Sequence, residues 1–179
     1  NASHEMQTPL AIMQSKSEML LQSENLDPEH IDHIRAIYKS VQRLSKLNKT
    51  LLLLSKIENN QFTERETIDV NKSIEKQLEI FEDFIENKKL KLVMNTAMDV
   101  TIEANPLLFD MVISNLISNA IKYTPEGGRI EVTLKSENDC VIGTVADSGI
   151  GIADADRPRL FEDFFRTSEA KESGEIGTG

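Results

Sequence analysis

The stretch Asn105–Gly128, NPLLFDMVISNLISNAIKYTPEGG, contains a start, a body and a stop for a single helix. Asn105 reads as the cap and Pro106 as a first-turn residue, while Pro125, Gly127 and Gly128 end the helix. Phe109, Ile113, Leu116, Ile117, Ala120 and Ile121 form its expected buried side, and Asn115, Asn119, Lys122 and Tyr123 lie along one polar stripe. Downstream, RIEVTLKSENDCVIGTVAD reads as a hairpin: Ile130, Val132 and Leu134 point one way, Glu131, Thr133 and Lys135 the other, with Asn138-Asp139 at the turn. Upstream, TIDV is a short strand, a helix from about Asn71 carries Ile74, Leu78, Phe81 and Ile85 on one face, and LKLVMNT and VTIEAN alternate like strands. Strands mostly before and after helices, with a hairpin among them, predict an α+β sandwich with helices on one face of a mixed sheet.

The chain ahead of that sandwich has a different period. Up to about Asn60 it reads as two helices, the first with a heptad-like seam of Met6, Leu10, Met13 and Leu20. ENLDPEH interrupts, with Asp27 as a cap and Pro28 in the next first turn. From Glu29 to about Glu58, Ile34, Ile37, Val41, Leu44, Leu47, Leu51 and Leu54 recur along one long helix. Two helices expose too much apolar stripe to be stable alone, so self-association into a four-helix bundle is expected. The polar NNQFTERET is the predicted linker, dividing the chain into residues 1–60 and 61–179.

Thirty acidic residues against twenty basic ones among 179 give a formal charge of −10. That leaves no electrostatic footprint for a nucleic-acid backbone, and an anionic ligand would need a divalent metal or a few placed Lys and Arg. A single cysteine, Cys140, excludes an intrachain disulfide and fits a reducing compartment; its setting in CVIGTV predicts a small buried hydrophobe. No apolar run is long enough to cross a bilayer, and the N-terminus lacks the pattern of a signal peptide, so a soluble segment is expected.

Several stretches could carry chemistry. Two asparagines one turn apart beside a lysine suit a metal-bound polyphosphate, with amide oxygens as hard ligands for Mg²⁺ and the ammonium as a point charge on phosphate. DSGIGI, Asp147–Ile152, follows an apolar strand; its glycines permit a tight turn and close approach to a ligand, and Asp147 can accept from an exocyclic amine. In RLFEDFFR, Phe161, Phe164 and Phe165 are expected to anchor a helix on the core, with Arg166 able to reach an anion. SHEMQTPL, Ser3–Leu10, places His4 nearly opposite the seam, beside Glu5, with Thr8 one turn on. An outward imidazole beside a carboxylate suits a nucleophile, one nitrogen attacking while the proton on the other is accepted. His30 and His33, flanking the inter-helix turn, read as solvated surface residues.

Taken in order, these blocks resemble the sensor histidine kinases of two-component signalling. SHEMQTPL is similar to the phospho-acceptor box, NLISNAIKYTP to the asparagine box, DSGIGI to the first glycine box, FEDFF to the phenylalanine box, and GTG to the beginning of the second glycine box. The resemblance implies a helical hairpin, a four-helix bundle on dimerisation, followed by an α+β sandwich ATP-binding domain of the Bergerat or GHKL type, incomplete at its C-terminus. It implies His4 as the phosphorylated residue, Glu5 as its base, and Thr8 as the residue that orients water when such enzymes dephosphorylate their partner. Asn115 and Asn119 match the magnesium and phosphate asparagines, Lys122 and Tyr123 line the nucleotide pocket, and Asp147 reads adenine with Gly149 and Gly151 in support. Arg166 falls at a phosphate-contacting position, and Gly177 and Gly179 match the hinge of the lid over ATP.

The resulting expectation is an ATP- and Mg²⁺-dependent kinase that phosphorylates His4 and passes the group to an aspartate of a response regulator, with a reverse phosphatase activity suggested by Thr8. The segment would be cytoplasmic and the whole protein anchored in a bacterial inner membrane. Two other classes stay open. One is a non-catalytic dimeric module that binds nucleotide to relay conformation. The other is an ATPase of the related chaperone and topoisomerase superfamily, disfavoured because those enzymes carry glutamate at the position of Asn115 and would not explain SHEMQTPL.

Overall fold

The computed structural model describes residues 2–23, 27–96, 100–137, 140–162, 165 and 167, with the side chains of residues 2–5 and of Glu29 outside that description. One compact unit is Phe62–Ala155; the other comprises Asn1–Gln61 together with the segment from Asp156.

In the helical unit, α1 (Ala2–Leu21) continues through Pro9, and Pro28 opens the long α2 (Pro28–Glu58). The two pack as a hairpin that buries Leu10 and Ser17 on α1 and Val41 and Asn48 on α2. Ser17 Oγ donates to the Met13 carbonyl at 2.8 Å, which satisfies the hydroxyl within its own helix. Across the hairpin, the Tyr38 hydroxyl donates to Glu18 Oε1 at 2.7 Å, and that bond holds the phenol's pKa above its ordinary value.

The expected seam is only partly the buried one. Leu10 is inside, whereas Met6, Met13 and Leu20 are about half exposed. Each helix has a single neighbour in the hairpin and so buries one heptad row, Leu10 and Ser17; residues 6, 13 and 20 form a second row one heptad apart. Residues Ile37, Leu44 and Leu51 of α2 repeat at the same interval and are likewise exposed.

The second unit starts with β1 (Glu66–Asp69), which runs into α3 (Val70–Ile80). Asp69 caps α3, accepting from Lys72 N at 3.1 Å, and this bond holds its carboxyl below the usual carboxylate range. The apolar row expected on one helix is divided at Phe81, after which α4 (Glu82–Asn87) begins. The row still points one way: Ile74 and Leu78 are buried, and Phe81 and Ile85 pack against the same core.

There follow β2 (Lys91–Thr96), β3 (Thr101–Ala104), α5 (Pro106–Tyr123), β4 (Arg129–Glu137) and β5 (Cys140–Asp147). Strands β1 and β3 pair antiparallel, with Ile68 opposite Ile102. The other sheet has the order β2-β4-β5, parallel between β2 and β4 and antiparallel between β4 and β5, with Val132 opposite Val145. Ile130, Val132 and Leu134 alternate inward as expected and meet Ile117, Ala120 and Ile121 of α5 and Val70, Ile74 and Leu78 of α3. Fully burying one such side chain is worth about 1.5–3 kcal/mol.

Two expectations fail at the margins of this core. Cys140 is exposed, because it starts β5 opposite Glu137, where the ladder has run past the core. Leu116 is also half exposed. It borders an apolar cavity of about 210 Å³ lined also by Phe109, Val132 and Val145.

Candidate functional site

The site is built on α5. Asn105 accepts from Leu108 N at 3.1 Å and its side-chain amide donates to the Glu64 carbonyl at 3.0 Å, so the cap also ties down the incoming chain. Burial of Ile117, Ala120 and Ile121 fixes the rotation of the helix about its axis. Asn115 and Asn119 are then exposed on the face away from the core, and Lys122 and Tyr123 are half-buried at the helix end. The Lys122 ammonium lies 4.9 Å from the centre of the Tyr123 ring, a cation–π contact.

The glycine loop is stitched to that helix end. Ser148 N donates to the Arg129 carbonyl at 3.0 Å and Ser148 Oγ accepts from Arg129 N at 2.8 Å, extending the β4–β5 ladder past Asp147. Gly149 N donates to Asp147 Oδ1 at 2.8 Å, and Ile150 N donates to the Tyr123 carbonyl at 3.2 Å. A Cβ on Gly149 would lie 2.5 Å from the Tyr123 carbonyl oxygen and 2.6 Å from Asp147 Oδ1, so only glycine fits. Gly151, at φ 71°, adopts the left-handed conformation that glycine tolerates. The loop thus holds Asp147, Gly149 and Gly151 next to the last turn of α5. None of the site residues of α5 or the loop lines the apolar cavity, whose walls offer no charge for an anion.

The remaining predicted residues lie elsewhere. His4 and Glu5 are in α1, with their side chains outside the described atoms, and Thr8 is exposed on the same helix. Arg166, Gly177 and Gly179 lie outside the described residues, as does Phe164. The expectation that the phenylalanines anchor a helix on the core is corrected at Phe161, which is 98% exposed and follows only a short 3-10 turn, Arg157–Arg159. Phe165 is half-buried beneath the Arg159 guanidinium, 4.2 Å from the ring centre. The sequence reading overlooked Lys88, whose Nζ donates to the carbonyls of Ile121, Lys122 and Thr124. It lies more than thirty residues before those acceptors, so helix periodicity and motif spacing carry no signal for it.

Residues 1–60 match the His Kinase A (phospho-acceptor) domain, and residues 104–179 match the histidine kinase-, DNA gyrase B- and HSP90-like ATPase family. The chain belongs to the two-component sensor histidine kinases. The heme sensor protein HssS of Staphylococcus saprophyticus is 33% identical to this histidine kinase segment over 99% of its chain, which corresponds to 38% of HssS. Among solved structures, the Acinetobacter baumannii histidine kinase AdeS aligns with 90% of the segment and 79% of AdeS, at 28% identity and a TM-score of 0.64. The histidine kinase ThkA, in a complex with the response regulator protein TrrA, aligns with 93% of the segment and 49% of ThkA, at 26% identity and a TM-score of 0.66. The segment spans about 38% of the length of the curated relatives it matches. The α5 stripe and glycine loop of this histidine kinase fall in the ATPase match, and its two long helices fall in the phospho-acceptor match. Among the described residues no helix is long and apolar enough to cross a membrane.

Proposed function

We propose that this chain is the catalytic core of a kinase that transfers the γ-phosphoryl group of ATP to His4 and then to an aspartate on a response-regulator receiver domain. The supporting observation is the join between the polar end of α5 and the glycine loop, through Ile150 N and the Tyr123 carbonyl, at a point where Gly149 leaves no room for a side chain. Functionally the division runs between residues 1–60, the phospho-acceptor hairpin, and 61–179, the ATP-binding part, with NNQFTERET as the hinge that lets one reach the other.

Asp147 reads the exocyclic amine of adenine, Tyr123 lines the pocket, and Lys122 sets a positive charge against the phosphates. Asn115 and Asn119 offer exposed amide oxygens, hard donors that suit Mg²⁺ shared with phosphate oxygens. Held there, Mg²⁺ would offset charge on the transferring group. One imidazole nitrogen of His4 attacks phosphorus in line; the N–P bond forms as the bond to the β–γ bridging oxygen breaks, and ADP leaves. Glu5 accepts the proton from the other ring nitrogen. Arg166 contacts phosphate, Gly177 and Gly179 hinge the lid, and Thr8 orients water for the reverse, phosphatase reaction. The exposed rows Met6, Met13, Leu20 and Ile37, Leu44, Leu51 support a homodimer in which a second hairpin completes a four-helix bundle. The whole protein is proposed to be anchored in a bacterial inner membrane, with this segment on its cytoplasmic side.

The test is incubation with γ-labelled ATP and Mg²⁺. Acid-labile, base-stable label is expected on the chain and should vanish in His4→Gln. Label that persists in His4→Gln rejects the assignment, and release of free phosphate alone favours an ATPase.

A further inference from the structure

The C-terminal carbonyls of α5 have an unusual set of partners. An α-helix ends with carbonyls that lack a donor in the ladder, and here Pro125 removes the amide that Ile121 would have used. Ala120 O still accepts from Thr124 N at 3.1 Å, and Tyr123 O accepts from Ile150 N at 3.2 Å. The others converge on one side chain: Lys88 Nζ donates to Ile121 O at 2.9 Å, to Lys122 O at 3.0 Å and to Thr124 O at 3.0 Å. An ammonium has three N–H donors, and each has an acceptor. Its charge also lies at the negative end of the helix dipole.

Lys88 is itself held from both sides. Its carbonyl accepts from Gly127 N at 2.8 Å, and Lys91 N donates to Gly128 O at 2.8 Å. The Lys89 ammonium meets Glu126 at 2.6 Å, with Lys89 in the left-handed conformation at φ 52°. The turn after α4 therefore grips the last turn of α5, as the glycine loop does through the Tyr123 carbonyl. Lys122 and Tyr123 belong to that turn, the first accepting from Lys88 and the second from Ile150 N through their carbonyls.

We infer that Lys88 is a positioning residue for the nucleotide site: without touching nucleotide, it fixes the last turn of α5 and, through the Tyr123 carbonyl, the glycine loop. This rests on the reading of that site as the ATP pocket. Because binding couplings are reciprocal, a cap that strengthens ATP binding must itself be strengthened by ATP to the same extent.

Two measurements test this on the full chain. In Lys88→Met, the Kd of ATP-Mg²⁺, from displacement of a fluorescent nucleotide, should rise about tenfold, while His4 labelling at saturating ATP changes less than about twofold. Lys88→Arg, which retains charge and donors, should recover most of that affinity. In the unsubstituted protein, saturating ATP-Mg²⁺ should slow acylation of Lys88 about tenfold and leave exposed Lys135 unchanged, a readout that needs no variant to fold. Unchanged Kd in a folded Lys88→Met, or Lys88 acylation indifferent to bound ATP, overturns the positioning role and leaves a cap that serves stability alone. If the unsubstituted protein binds no ATP, the ATP-pocket reading fails with it.

Discussion

The two units bury apolar surface in different ways. In residues 62–155, sheet and helices close on one another: Ile117, Ile130 and Val132 are at most 1% exposed, and the ends of α5 are tied by Asn105, Lys88 and the glycine loop. In the helical hairpin one row per helix is inside, with Ser17 and Asn48 among its residues, and a second, wholly apolar row faces out. The difference follows from geometry. A sheet covered by two helices can bury its inner face within one chain, whereas two helices of bundle type each present a stripe wider than a single neighbour covers. The unit read as binding nucleotide buries its inner faces against its own elements, whereas the outer rows of the hairpin would be covered by a second copy in the proposed dimer.

The sharpest way to break this comparison is Leu44→Lys. Leu44 is 53% exposed in the single chain, where the change should be nearly neutral if the row stays in water. In a two-fold bundle the loss counts twice, about 3–6 kcal/mol per dimer from the burial of two leucines. Sedimentation velocity should find a dimer before the substitution and a monomer after it; an unaltered dimer would mean that the outer row is not the interface. The next largest effect is expected from Ile117→Ala, which should cost about 2–5 kcal/mol in urea unfolding of the ATP-binding unit. That loss should not depend on protein concentration, in contrast to the hairpin. A concentration-dependent loss would show that this unit too is finished by a partner.

Where a residue's role depends on near neighbours in the chain, it was legible in advance. Asn105 and Pro106 start α5 where their types predict, and the alternation of Ile130, Val132 and Leu134 assigns the inner face of β4. The stripe of Asn115 and Asn119 follows from the same helical period, and the placement of DSGIGI from its position after an apolar strand. Errors arose where burial depends on how many neighbours an element acquires. Met6, Met13 and Leu20 have the spacing of a seam, but spacing does not say whether the hairpin or a second copy covers them. Cys140 belongs to an apolar run, yet its register opposite Glu137 puts it beyond the core. Phe161 shows the same limit, because it follows a short 3-10 turn and not a long helix that could lay its ring on the core. Lys88 was invisible for a related reason: its three acceptors stand together at the end of α5, but only the tertiary fold brings a side chain from 33 to 36 residues earlier onto them.

The smallest effects sharpen the comparison by their opposite signs with pH. In the ATP-binding unit, the backbone amide of Lys72 holds the Asp69 carboxyl below its ordinary value. A group depressed in the folded state contributes fully above its unfolded pKa, near 4, and that contribution disappears as pH falls through the depressed value. In the hairpin, donation to Glu18 raises the Tyr38 phenol. Its contribution is complete below the unfolded value, near 10, and disappears as pH rises through the raised one. Asp69→Asn should therefore blunt the acid sensitivity of the ATP-binding unit alone, and Tyr38→Phe the alkaline sensitivity of the hairpin alone, when each unit is followed by its own amide resonances. Both groups are exposed, so the displacements should be small and diminish with salt. Were Tyr38→Phe to change the acid limb of the ATP-binding unit instead, the two units would not respond to pH as separate bodies, and the opposite signs could not be assigned to one unit each.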